Sequence, residues 1–425
     1  MRTFTLIWFG QLVSAIGSRM TFFALTLWAW EATGSATALA LVGLFFQLPQ
    51  IPTTLFAGVI IDRFNRKTLM LLGDAMTAMA TLMIGGLYLS GHLAIWHLYL
   101  VAMLAGGFSQ IQILAYQASL SLIVPKQHYT RAGSMGAMVH YGSQIFGPSL
   151  AGILYPIIHL SGIVGIDFAT FMVAFGTLFA AVIPQPSKVT PPLESWTHQL
   201  TFGFRYVWQR PGLKALLLLT ILFTFAHDLG AALQHPMILA RTQGSPLAVA
   251  SISAAAGVGG VVGAIVLTLW GGPKRRIYGL LAGYIGAGVS KLVFGLGQSL
   301  SVWVPAQVCS SLNFPMIGSC RSALWMDKIS PDIQGRVFAA NALVTQLVSA
   351  IAILLAGPLA DRYLEPAMVS DGMFAAWLGP IFGHGAGSGM AVLYTLCSLA
   401  ILLIGVCGFL NARLRTIETT ATDTN

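Results

Sequence analysis

The sequence predicts an all-α, polytopic integral membrane protein with twelve transmembrane helices in two pseudo-symmetric six-helix halves. Three observations carry that prediction. Charged residues make up 8% of the chain and hydrophobic residues 56%, and the mean hydropathy is +0.78. Soluble domains carry about 25% charged residues, so lipid must cover much of this surface. The 425 residues also hold many apolar runs of the roughly 20 residues that cross a bilayer. Finally, these runs are apolar on all faces and lack the period-two alternation of a membrane barrel, which leaves helices.

The spans follow from the apolar runs and the turns or charges that end them. The first six are placed at 5–30, 37–61, 68–90, 95–124, 132–155 and 162–183, in an N-terminal half at 1–183. Only Arg2 precedes the first, which runs through bulky "LWAWEATG" without a small-residue cleavage site; it reads as a retained helix, not a signal peptide. "GVIIDRFNRK" separates spans two and three, and "VPKQHYTRAGSM" separates four and five. Residues 184–212 form a polar connection that opens with the proline-rich "PQPSKVTPP". Its second part places Trp196, Leu200, Phe204, Val207 and Trp208 at helical spacing, with Arg205 and Arg210 between them. That is the pattern of an amphipathic helix on the inner membrane surface.

The next six spans are placed at 213–240, 247–270, 277–298, 301–326, 337–360 and 388–411, in a C-terminal half at 213–411 followed by a tail at 412–425. The halves repeat weakly. "VPKQHYTR" and "SPDIQGR" each put a proline at a helix exit and an arginine five or six residues on, and "GPSLAG" at 147–152 has a counterpart in "GPLADR" at 357–362. Duplicated halves are a transporter signature, with a site expected between them at mid-membrane.

Lysine and arginine set the orientation. With the N-terminus inside, Arg2, Arg63, Arg66, Lys67, Lys126, Arg131, Lys188 and ten further cations are cytoplasmic, seventeen in all, against Arg241 and Arg362 outside. This positive-inside pattern puts both termini in the cytoplasm. It also accounts for the net charge of +9, which comes without the basic stripe that nucleic acid would require. Cys309, Cys320, Cys397 and Cys407 lie in apolar segments without CxxC spacing and read as small core residues, not metal ligands.

Between spans two and three, Gly58-x-x-x-Asp62-Arg63-x-x-Arg66-Lys67 packs four charges into six positions. The pattern resembles the major facilitator superfamily, whose motif in this loop reads G-x-x-x-D-R-x-G-R-[KR]; Asn65 stands where the family has its second glycine. Asparagine tolerates a left-handed backbone, so that geometry is expected to survive at Asn65. The resemblance implies a gate in which Asp62, near a helix N-terminus, stabilises the closed cytoplasmic side with Arg63 and Arg66 as partners. The bland alternative is a set of charges that only anchors an inner loop.

"FGQLVSAIGSRMTFFAL", "ATGSATALALVGLFFQLP", "FRYVWQRPGLKALLLL" and "PDIQGRVFAAN" are similar to the branch holding enterobactin exporters and macrolide efflux pumps. That similarity implies a bacterial plasma-membrane protein driven by the proton gradient, without a cofactor; a monomer is expected. "GSMGAMVHYGSQIFGPSLAG" resembles the glycine-rich fifth-span motif of antiporters, with Gly142, Gly147-Pro148 and Gly152 one residue off its spacing. The same small residues also suit close helix packing.

Charges at mid-membrane are costly and therefore candidates for function. Helical spacing puts Thr224, Asp228, Ala231 and His235 on one face of span seven, a stripe suited to a water-filled cavity, and Pro236 beside it is expected to break the helix. Asp228 would exchange protons or contact substrate there; near the outer mouth it would be a hydrogen-bonded structural group. Arg19 shares a face with Phe23, Thr26 and Trp30, which suits an anionic or aromatic substrate, unless it pairs with Asp167 or Asp228. Gln110 and Gln117 in span four, beside Tyr116, either line a cavity or bond to neighbouring helices. Asp74 is expected to support the loop before span three. Lys291 has no evident partner, and His140 and His227 are too isolated to assign.

No G-x-x-x-x-G-K-[ST] occurs, so an ion gradient is the expected energy source. With no HExxH or GxSxG either, an enzyme is not expected. The leading expectation is a proton-coupled exporter of a small amphipathic compound, a drug or a siderophore. A lysophospholipid flippase is the nearest alternative, distinguished by movement of labelled lysolipid. A non-transporting sensor or scaffold would leave Asp228 and Arg19 without a role.

Overall fold

The computed structural model describes residues 2–54, 56, 64–124, 129–183, 196–329, 331–368 and 372–418. Among them every regular element is helical, as hydrocarbon demands of a backbone that must satisfy its own hydrogen bonds. Helix α1 covers Arg2–Thr33, α2 Ala36–Gln47, α3 Arg66–Leu89, α4 Ile95–Ile123 and α5 Tyr129–Ala180. Then come α6 (Trp196–Gln209), α7 (Pro211–Arg241), α8 (Pro246–Trp270), α9 (Arg276–Leu296), α10 (Leu300–Leu312) and α11 (Phe314–Lys328). The chain ends with α12 (Pro331–Pro358), α13 (Glu365–Met368), α14 (Ala375–Phe382), α15 (Ser388–Leu410) and α16 (Ala412–Arg415).

Ten helices among the described residues are long and apolar enough to cross a bilayer. Two departures from the expected boundaries reconcile that count with twelve spans. Spans five and six run together as α5, 52 residues long, with a turn at His159 (φ 53, ψ −170). A left-handed residue cannot continue a right-handed helix, so α5 is two spans joined without a loop. Span ten is instead broken at Asn313, where α10 ends and α11 begins. Pro315 lies in the first turn of α11, where its missing N–H costs nothing, and the Asn313 amide donates to the Cys309 carbonyl at 2.8 Å. Span eleven, expected to end at 360, runs on through a π-helical turn at Leu359–Leu364 to Met368. The break expected at Pro236 does not occur: α7 is continuous through it. Leu233, Met237 and Ile238 around it are fully buried, and that packing outweighs one lost backbone bond.

The chain divides into two compact units, Met1–Thr190 with Ile238–Ala254, and Pro191–Met237 with Ala255–Asn425. In the first, α1 lies close against α5 because small residues meet there. A Cβ on Gly17 would meet Asp167 and Thr170, and one on Gly147 would collide with Arg19. In the second unit a core of Leu216, Leu280, Leu281, Tyr284, Leu324 and Val337, none of them exposed, joins α7, α9, α11 and α12. The amphipathic helix forms as α6, and it too joins this core: Val207 is buried in it, while Trp208 is 60% exposed. Arg210 stacks over Tyr206 at 3.7 Å, and the Lys214 ammonium lies 4.0 Å from the Trp208 ring centre. Cys320 and Cys397 are buried as expected, but Cys309 and Cys407 are exposed on apolar helix faces.

One long-range contact fixes the end of α15. The Glu365 carboxylate accepts from the backbone N–H groups of Gly387 (3.2 Å) and Met390 (2.8 Å). An anion there satisfies donors that the first turn leaves without helix partners. Glu365→Ala should cost about 1 kcal/mol and lower the midpoint of thermal unfolding, with Glu365→Gln intermediate. Scanning fluorimetry on the purified protein checks the order.

Candidate functional site

The second unit gathers a carboxylate, an ammonium and an imidazole among its membrane helices. Asp228 sits midway along α7, and its Oδ1 shares a hydrogen bond of 2.8 Å with Nδ1 of the neighbouring His227. The two side chains are 25% and 22% exposed. Asp228 also bonds to Ser349 of α12 and is attracted by the Lys291 ammonium of α9. Lys291 is 5% exposed and donates to the Tyr394 hydroxyl of α15 at 3.4 Å.

Aromatic rings wall this cluster. His227 stacks on Phe223 one turn earlier, with centroids 5.6 Å apart, and meets the edge of Phe314 at 5.0 Å. Phe223 in turn stacks on Tyr284 of α9 at 3.9 Å. Phe314 also lies 6.0 Å from the Lys291 ammonium, so the same ring faces both His227 and Lys291. Phe314 opens α11, directly after the break at Asn313. The broken span thus places an aromatic side chain inside the charge cluster, a role broken helices play where they line sites. A polar link runs nearby from Gln234 of α7 to Gln307 of α10 at 2.7 Å, and on to Ser311 at 3.1 Å.

The polar stripe expected on α7 is only partly realised. Asp228 bonds to His227, within the field of the Lys291 charge, and no hydrogen bond or ion pair holds His235 among the described residues. His227 and Lys291 are the members the sequence reading left unassigned. A lysine within an otherwise apolar helix was the available signal, but its partner lies on another helix far along the chain.

In the first unit the expected Arg19–Asp167 pair is absent. Asp167 instead accepts from the Ser18 hydroxyl at 3.2 Å, a bond that needs no cation. Arg19 is exposed, one turn from the buried Phe23. Gln110 donates to the Thr54 hydroxyl at 3.0 Å, a bond between neighbouring spans, and the Gln117 side chain lies outside the described residues. Most of the loop that Asp74 is expected to support lies outside the described residues. The Asp74 carboxylate accepts from Gln11 at 3.4 Å, and Gln11 accepts from Gln112 at 2.9 Å, a network that ties α3, α1 and α4.

Gly58, Asp62 and Arg63 of the inner-loop motif lie outside the described residues. Asn65 is not left-handed: at φ −63, ψ 121 it is the N-cap of α3, accepting from the N–H groups of Lys67 (2.9 Å) and Thr68 (3.3 Å). Capping explains the residue better than turn tolerance. Arg66 donates to the Ala118 carbonyl of α4. Lys67 donates to the Phe179 and Ala181 carbonyls at 2.7 and 2.8 Å, a cation at the C-terminal end of α5.

A bundle of membrane-long helices in two units, holding ionisable groups among its spans, has the build of a multi-pass membrane transporter. The sequence pattern of the Major Facilitator Superfamily matches residues 7–353, and the chain belongs to that superfamily. Macrolide efflux protein A of Streptococcus pyogenes is 28% identical over 366 residues, which cover 84% of this chain and 89% of the relative. The enterobactin exporter EntS of Shigella flexneri is 24% identical over 353 residues, 82% of this chain and 77% of the relative. Among solved structures, a bacterial homologue of the human lysosomal transporter Spinster, inward-facing and unoccupied, superposes with a TM-score of 0.70 at 14% identity. It covers 100% of this chain and 98% of that one, a likeness of fold. The family read from the inner-loop motif is borne out.

Proposed function

We propose that this chain is a proton-coupled exporter of small amphipathic compounds, working in the bacterial plasma membrane by alternating access with both termini cytoplasmic. One observation carries the coupling. Asp228 is a carboxylate inside a membrane span, a quarter exposed and hydrogen-bonded to an imidazole at 2.8 Å. A carboxylate and an imidazole in contact can pass a proton between solvent and the protein interior. Relatives named for macrolide efflux and enterobactin export support the outward direction and the amphipathic cargo. Seventeen inner cations against two outer ones support the orientation.

The test is proton movement in energised everted vesicles challenged with macrolides, cationic dyes, catecholate and hydroxamate siderophores, and lysolipids. At least one amphipathic compound should collapse the pH gradient. Silence across the panel together with flipping of labelled lysolipid would replace export with lipid translocation.

The inner loop gates the same cycle: Asp62 closes the cytoplasmic side with Arg63, while Arg66 and Lys67 secure the helix behind them through their carbonyl contacts. Asp62→Asn should insert normally and bind substrate normally, yet turn over about tenfold more slowly. Wild-type flux in that variant would leave the loop only an anchoring role.

A further inference from the structure

Proton exchange at Asp228 leaves the neighbouring ammonium without a task. Lys291 is 5% exposed and makes one hydrogen bond among the described residues, 3.4 Å to Tyr394. The groups that face it are Asp228 and His227 from α7, Tyr394 and Cys397 from α15, and Phe314 from α11. Only Asp228 among these is an anion at neutral pH. A buried cation is costly unless compensated, and here the compensation is one carboxylate shared with His227, plus ring faces 5.5 and 6.0 Å away.

We propose that Lys291 sets the charge preference of the site, so that it favours uncharged or anionic aromatic amphiphiles over lipophilic cations. The inference rests on reading the Asp228 cluster as part of the substrate path. With Asp228 ionised and Lys291 charged, the cluster sums to zero. A cationic substrate must then enter beside the Lys291 ammonium, with Asp228 the only carboxylate facing it among the described residues. At about 10 Å and an effective dielectric near 20, that repulsion changes binding by roughly tenfold or more. When Asp228 takes up a proton the cluster becomes positive, and an anionic group on the substrate becomes its counter-ion. The edge-on Phe314, half-buried and backed by the stacked core rings of Phe223 and Tyr284, supplies aromatic surface beside it.

Tetraphenylphosphonium and tetraphenylborate have nearly the same shape and opposite charge, which isolates this effect. Displaceable binding of each would be measured on the purified full chain in nanodiscs. Wild type should favour the borate. Lys291→Gln should move the ratio toward the phosphonium by about tenfold or more, Asp228→Asn should move it the other way, and Lys291→Arg should keep the wild-type order. A Lys291→Gln ratio equal to wild type, in protein shown folded by its unfolding midpoint, would overturn the proposal; so would wild type that binds neither ion. Proton-coupled flux of a panel compound alongside an unchanged ratio would discard the Lys291 role alone. Loss of both would strike the site itself.

Discussion

Asp228→Asn is expected to abolish substrate-triggered proton movement in everted vesicles while leaving downhill exchange of bound substrate measurable. Asparagine keeps the size and the hydrogen bond to His227 but cannot carry a proton on its side chain. Asp228→Glu should restore part of the signal. Unchanged proton movement in the asparagine variant would remove Asp228 from the coupling role. The same change should also destabilise the protein, because among the described residues Asp228 is the only anion that acts on Lys291. The attraction acts through space and not through an ion pair, and its loss is expected to cost about 1–2 kcal/mol. Adding Lys291→Gln should then recover stability, since the double variant buries no unmatched charge. A double-mutant cycle on the unfolding midpoints reads this coupling directly, and strictly additive losses would show that the two groups do not interact.

Gly259→Leu is expected to give the largest structural effect. Gly259 and Gly263 lie one turn apart on α8, and a Cβ on either would run into the backbone carbonyls of Val308 and Leu312 in α10. A side-chain neighbour could swing aside, whereas a helix backbone cannot, so α8 and α10 would have to separate. Overpacking of this kind costs about 1–3 kcal/mol. Leu312 stands immediately before the break at Asn313, so a displaced α10 also moves Phe314 within the charge cluster. Gly259→Leu should lower both the unfolding midpoint and transport, whereas Gly318→Ala, with no atom near its would-be Cβ, should do neither. Wild-type stability in Gly259→Leu would mean that α8 and α10 are not held this closely.

Much of the fold was legible because hydropathy is a local property. A run such as Ser388–Leu410 declares itself a span from its own residues, whatever packs against it. The same holds for α6, whose helical spacing of aromatics is written in fourteen consecutive residues. Gly259 and Gly263 acquire their meaning as a close-packing face only against α10. Boundaries fared worse where a break depends on neighbours. The turn at His159 falls in the gap expected between spans five and six, flanked by Pro156 and Gly162, whereas Pro236 carries no break because the buried residues around it hold the helix together.

Composition and local spacing were enough for the membrane class, the twelve spans and the superfamily motif, because each adds up residue by residue along the chain. The partners of the ionisable groups were another matter. Asp167 bonds the Ser18 hydroxyl while Arg19 stays exposed, and Asp228 bonds an adjacent histidine within the field of a lysine from α9. Which groups meet is set by how each helix is rotated and how closely small residues let its neighbour approach. Those quantities belong to the packed helices, so only the assembled structure could bring the Lys291 charge to act on Asp228.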